Sequence, residues 1–129
     1  MSVELEMLAW SIVLGLVQLA VAASFTTGQR GLMWGAGARD GEARPLTPVA
    51  ARIDRAFKNF LETFGFFAAA VLALHATGKG GAQSAMGAQL YFWARVVYMP
   101  AYATGIPFLR TIVWAASLAG IVMVLLALF

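Results

Sequence analysis

The sequence predicts an all-α integral membrane protein, a four-helix bundle whose spans run up-down-up-down. Three observations carry that expectation. Of 129 residues, 61% are hydrophobic and 12% charged, and the mean hydropathy of +0.79 exceeds what a soluble domain with a polar surface shows. The apolar residues fall in long runs, and the length suits four spans of about 20 residues each. The charges gather at the ends of these runs, apart from a small group inside them.

The first span is expected over residues 7–27, since no residue from Met7 to Gln29 is charged. Val21-Ala22-Ala23-Ser24 offers small residues of the kind a signal peptidase cuts after. The segment ahead of the apolar run carries Glu4 and Glu6 and no base, the wrong charge for a signal peptide, so the span reads as a mature helix. Thr26 to Val49 changes character, with five glycines and two prolines among Arg30, Arg39, Asp40, Glu42 and Arg44. It reads as a flexible polar loop with Trp34 as an interfacial anchor.

The second span, residues 53–77, opens amphipathically, becomes wholly apolar from Phe64 to Leu74, and stops near Gly78. The short connection Lys79-Gly80-Gly81 requires the third span, residues 82–104, to return antiparallel. Arg95 interrupts its apolar character, and Pro100 removes the bond to the Val96 carbonyl and predicts a kink. The fourth span, residues 107–128, is expected to carry Pro107 in its first turn and has no charge after Arg110. Ala116, Ser117, Ala119 and Gly120 predict close helix packing, within or between subunits.

The first and third connections, with the adjoining helix ends, hold Arg30, Arg39, Arg44, Arg52, Arg55, Lys58 and Arg110, against Lys79 alone in the second. By the positive-inside rule the first and third connections face the cytoplasm and both termini lie on the opposite side. The same topology accounts for the net charge of +3, which is too sparsely distributed to suit nucleic acid. With no cysteine in the chain, disulfides, thiolate metal ligands and a cysteine nucleophile are excluded. Any thiol chemistry needs a thiol on the substrate.

A charge near the middle of a bilayer costs about 2.5–3.5 kcal/mol on insertion scales, so each such residue calls for a partner or a function. Arg55, Asn59 and Glu62 recur at i, i+4, i+7 on one face of the second span, and Arg95, Tyr98 and Tyr102 at i, i+3, i+7 on one face of the third. Counted inward at the helical rise, Glu62 lies about 12 Å and Arg95 about 15 Å from the cytoplasmic ends. Similar depth and opposite charge predict a Glu62–Arg95 ion pair between the two spans. Arg55, Asn59, Tyr98, Tyr102 and Arg110 would line a polar cavity above it. Three guanidinium groups with two phenols and an amide suit a small acidic, hydrogen-bonding ligand better than a metal. Arg110, at the positive end of a helix, is placed to stabilise a ligand thiolate. Arg52 and Lys58 read instead as snorkelling or lipid-headgroup residues, and His75 as an interfacial histidine.

Two strings carry a resemblance. Arg55-Ala56-Phe57-Lys58-Asn59-Phe60-Leu61-Glu62 before an apolar run resembles the R-A-x-x-N-x-x-E signature of the second helix in the MAPEG family, the membrane-associated proteins of eicosanoid and glutathione metabolism. Tyr91-Phe92-Trp93-Ala94-Arg95-Val96-Val97-Tyr98, continuing through Tyr102 and Pro107 to Arg110 and Trp114, resembles that family's third and fourth helices. The resemblance implies a homotrimer binding glutathione as co-substrate between subunits on the cytoplasmic side. It makes Arg55, Asn59, Glu62, Arg95, Tyr98 and Tyr102 the binding residues, and Arg110 the residue that activates the thiol. The pattern fits a bacterial branch, hence a bacterial inner membrane.

The expected function is a glutathione-dependent transferase or peroxidase acting on lipophilic electrophiles. The alternative is a non-enzymatic lipid-binding or scaffold protein of the same fold, since family members share the bundle without sharing catalysis. A transporter built on Glu62 and Arg95 fits less well, because four short spans leave little room for alternating access.

Overall fold

A computed structural model describes residues 1–129 and is all-α, with five helices. In chain order these are α1 (Val3–Arg30), α2 (Leu32–Ala36), α3 (Pro48–Thr77), α4 (Ala82–Thr104) and α5 (Leu109–Leu126). The four long helices form the bundle. The fifth, α2, is a single turn inside the segment whose glycine content predicts only loop.

Helices α1, α3 and α5 are each long and apolar enough to cross a membrane, so the chain is a multi-pass membrane protein. Helix α4, at 23 residues, is long enough but more polar, because Gln83, Ser84, Gln89 and Arg95 fall within it. The surface agrees with a hydrocarbon surrounding. Leu16, Phe66 and Ile112 are each more than 60% exposed, an arrangement that water would penalise and lipid does not.

The helix ends follow their local chemistry. Ser2 caps α1, whose first turn carries Glu4 and Glu6 and whose last turn carries Arg30, each sign complementing the helix dipole. Thr47 caps α3 with Pro48 in the first turn, and Gly78 ends it in the left-handed conformation that glycine adopts without strain. Helix α4 continues through Pro100 to Thr104. Pro107 lies in the turn ahead of α5 rather than in its first turn, and Phe108, at φ 67°, caps that helix.

Helices α3 and α4 touch each other and both of the other long helices, whereas α1 and α5 do not meet. The cross-section is therefore a rhombus with α3 and α4 on its short diagonal. At the centre Phe67 stacks on Tyr91 with ring centroids 4.0 Å apart, surrounded by Leu8, Val71, Leu74, Ile121 and Val124. Helices α4 and α5 approach most closely, with Gly87 against Gly120. Of the small residues on α5, Ser117 and Gly120 are buried against this contact while Ala119 is exposed.

One end of the bundle is closed by Glu4, buried in the first turn of α1, which accepts a hydrogen bond from Ser84 of α4. The other end is tied by a reciprocal pair. Gln29 Nε2 donates to Thr47 Oγ1 at 3.0 Å and Gln29 Oε1 accepts from the Thr47 N–H at 2.9 Å, joining the end of α1 to the start of α3. Replacing Gln29 by alanine removes both bonds and is expected to cost about 1–2 kcal/mol, read as a lower midpoint in thermal unfolding of the detergent-solubilised protein.

Candidate functional site

The polar side chains inside the bundle converge where α3, α4 and the start of α5 meet. Arg95 is fully buried. Its Nη1 donates to Asn59 Oδ1 at 2.9 Å, and its guanidinium lies 4.1 Å from the Tyr98 ring centroid and 5.7 Å from that of Phe60. Stacking on these rings offsets part of the desolvation of the cation. Its Nε and Nη2 have no acceptor in the chain, and a buried guanidinium with one partner is costly. The two remaining N–H edges are unsatisfied and are sealed from solvent by the surrounding side chains.

The Glu62–Arg95 ion pair expected from depth does not form. Lys58–Asp54, at 3.0 Å on the surface, is the chain's one ion pair, and Glu62 is exposed. Depth along the axis was matched, but direction around the axis was not. A step of three residues turns the helix by about 300°, so Asn59 faces α4 while Glu62 points off to the flank. The neutral amide takes the position next to the cation, and the carboxylate faces outward.

Nearer the end of the bundle, Tyr102 is the hub. Arg55 Nε donates to its hydroxyl at 2.9 Å, the Arg110 guanidinium lies 5.0 Å from its ring centroid, and the Tyr98 ring meets it edge to face at 5.8 Å. A continuous series Asn59, Arg95, Tyr98, Tyr102 thus links the deep guanidinium to Arg55 and Arg110. Six of the seven expected site residues are brought together, and Glu62 is set apart.

Beside Tyr102 a cavity of about 340 Å³ is lined by Arg52, Tyr102, Arg110, Thr111 and the turn from Gly105 to Phe108. That volume lies at the lower end of the range for small-molecule sites, about 300–1,000 Å³. Arg52 belongs to this wall, which the headgroup reading of the sequence missed. Its Nη1 donates to the Ala103 carbonyl at 3.3 Å, and its guanidinium lies so close to Gly105 that an added Cβ would stand 2.9 Å from it. Its spacing offered a signal, since Arg52, Arg55 and Asn59 recur at i, i+3, i+7 on one face of α3.

The cluster presents four guanidinium groups, two phenols and an amide around one corner of the bundle, with Arg110 in the first turn of α5, where helix N–H groups add positive potential. Such a set of cations and neutral hydrogen-bonding groups suits an acidic, hydrogen-bonding ligand better than a cation. No group of three or more His, Cys, Asp or Glu residues stands together as a metal-holding set.

Compared with known proteins, the chain has no match among curated proteins and none among solved structures. The sequence model described as the MAPEG family matches residues 7–129, nearly the whole chain.

Proposed function

The chain belongs to the MAPEG family, and on that premise we propose that it is a membrane-bound glutathione-dependent transferase or peroxidase acting on lipophilic electrophiles. The observation that carries this reading is the Arg95 guanidinium, fully buried with two unpaired N–H edges, at the inner end of a series of polar side chains leading to Arg55 and Arg110. Glutathione is a tripeptide with two carboxylates, an ammonium group and a thiol. Arg55 and Arg95 supply bidentate donors for its carboxylates, Asn59, Tyr98 and Tyr102 supply neutral hydrogen bonds, and the free carboxylate of Glu62 suits the ammonium group.

In the transferase reaction the thiol proton leaves to solvent and the sulfur remains as a thiolate beside Arg110 and the start of α5. It attacks an electrophilic carbon delivered from the bilayer, forming the C–S bond while the leaving group departs with its electron pair. Arg110 holds the sulfur charge and lowers the cost of the ionised form at neutral pH. In this reading the chain is a homotrimer with glutathione between subunits, so that Glu62, exposed on a single chain, faces the ligand or a neighbour instead of lipid. On the same reading, the membrane is a bacterial inner membrane, and the positive-inside rule orients the end with Arg30, Arg39, Arg44, Arg52, Arg55, Lys58 and Arg110 toward the cytoplasm and both termini toward the far side.

Isothermal calorimetry of the detergent-solubilised protein tests the reading. Glutathione is expected to bind, and Arg95→Met, which conserves volume, is expected to weaken binding about tenfold or more while the unfolding midpoint stays within a few degrees, because a buried cation with one partner contributes little net stability. No heat of binding to the wild-type protein would overturn the enzyme reading in favour of a lipid-binding or scaffold role.

A further inference from the structure

Arg95 is fully buried, and a carboxylate can reach it only if something moves. The cavity of about 340 Å³ at the end of the bundle stops short of it: Tyr102 borders that cavity, whereas Asn59, Arg95 and Tyr98 do not. On its other side the Tyr102 ring meets Tyr98 edge to face at 5.8 Å, and Tyr98 covers the Arg95 guanidinium at 4.1 Å. Tyr102 therefore stands between the space a ligand can enter and the cation at the inner end of the polar series.

The segment that carries Tyr102 has a joint at each end. Pro100 lies inside α4 and has no N–H, so the Val96 carbonyl loses its helical bond just ahead of the last turn. Gly105 ends that turn at φ 72°, a conformation that glycine adopts without strain. Two side-chain hydrogen bonds from α3 hold the intervening residues 101–104. Arg55 Nε donates to the Tyr102 hydroxyl at 2.9 Å, and Arg52 Nη1 donates to the Ala103 carbonyl at 3.3 Å. Both clasps are guanidinium groups, and Arg55 is exposed. A phenol oxygen competes poorly for a guanidinium against a carboxylate, whose charge-assisted bonds are about twice as strong.

We propose that Tyr102 is a gate over Arg95, hinged at Pro100 and latched by Arg55, and that a carboxylate taking Arg55 releases it. The first carboxylate of a ligand then opens the route to Arg95 for the second, so that a dicarboxylate is selected over a monocarboxylate. The identity of the ligand rests on the glutathione reading; the hinge and the latch do not.

Hydrogen–deuterium exchange of the full chain in detergent, read by mass spectrometry over residues 101–105, tests the gate without ligand. Pro100→Ala returns the bond to Val96 and is expected to slow exchange there about fivefold, and Tyr102→Phe, which removes the latch, to speed it about fivefold, the weight of one net hydrogen bond in each case. Exchange unchanged in either variant overturns the proposal. Rapid mixing with glutathione, followed by tryptophan fluorescence, tests the coupling. The observed rate is expected to level off as glutathione is raised, at a plateau about fivefold lower in Pro100→Ala and about fivefold higher in Tyr102→Phe. A rate that rises in proportion to glutathione without levelling means that Arg95 is reached without a gate, and overturns the proposal as well. Absence of any glutathione binding would instead overturn the enzyme reading, and the exchange measurement alone would then decide the gate.

Discussion

Gly120→Ala is expected to destabilise the protein by about 2–3 kcal/mol, at the upper end of what overpacking usually costs. A Cβ at position 120 would stand 2.6 Å from the Gly87 carbonyl oxygen and 2.7 Å from the Tyr91 nitrogen. Both are backbone atoms of α4, so no rotamer change relieves the clash and the helices must separate. Separation loosens the stacking of Tyr91 on Phe67 and moves Arg110, on α5, away from Tyr102, on α4. The unfolding midpoint in detergent is expected to fall by about 10 °C for a chain of this size. Gly65→Ala is the control, because an added Cβ there meets nothing within 4 Å, and the gain in helix propensity of up to about 1 kcal/mol should leave the midpoint unchanged or higher. A Gly120→Ala protein as stable as the wild type would show that α4 and α5 do not meet at this point.

The second large effect is on turnover. Arg110→Ala is expected to lower kcat about 100-fold toward an aryl halide, the usual scale for losing one donor that stabilises developing charge. Glutathione affinity should change far less, because Arg55 and Arg95 keep the carboxylates. A loss confined to kcat marks an interaction made with the thiolate rather than with the tripeptide as a whole. The ultraviolet absorbance of thiolate in the bound complex at neutral pH should disappear in the variant. Arg110→Lys should restore part of both signals, since it keeps the charge and loses the planar fork. Unchanged turnover in Arg110→Ala would remove this residue from the chemistry.

The membrane class and the all-α fold were legible in composition and in the length of the apolar runs, and the clustering of Arg55 with Asn59 and of Arg95 with Tyr98 and Tyr102 in the periodicity along each helix, with Arg110 placed by its position in the first turn of the last one. What was not legible depends on how helices are turned toward one another. Glu62 shares a helical stripe with Arg55 and Asn59, yet only the orientation of α3 against α4 determines which of them meets Arg95. Gly87 gave no signal of its own, because a glycine in a helix becomes informative only once Gly120 is seen against it. The turn α2 lay hidden among glycines that argue against helix, and its value is to hold Trp34 between two arginines. Arg52 had the right spacing for the site and was assigned to the membrane surface because spacing alone does not reveal which side of α3 borders the cavity.

Helix α4 bears on how the protein reaches its membrane at all. With Arg95 and several amides in it, this segment gains less than its neighbours from leaving the aqueous channel of the insertion machinery for hydrocarbon. The four-residue connection from Gly78 to Gly81 presents it together with the apolar α3 as a hairpin, and its closest packing partner, α5, is synthesised last. The segment that carries the deepest charge therefore completes its packing only when the final helix arrives. During biogenesis its arginine is sheltered by Asn59 and Tyr98 before any ligand reaches it.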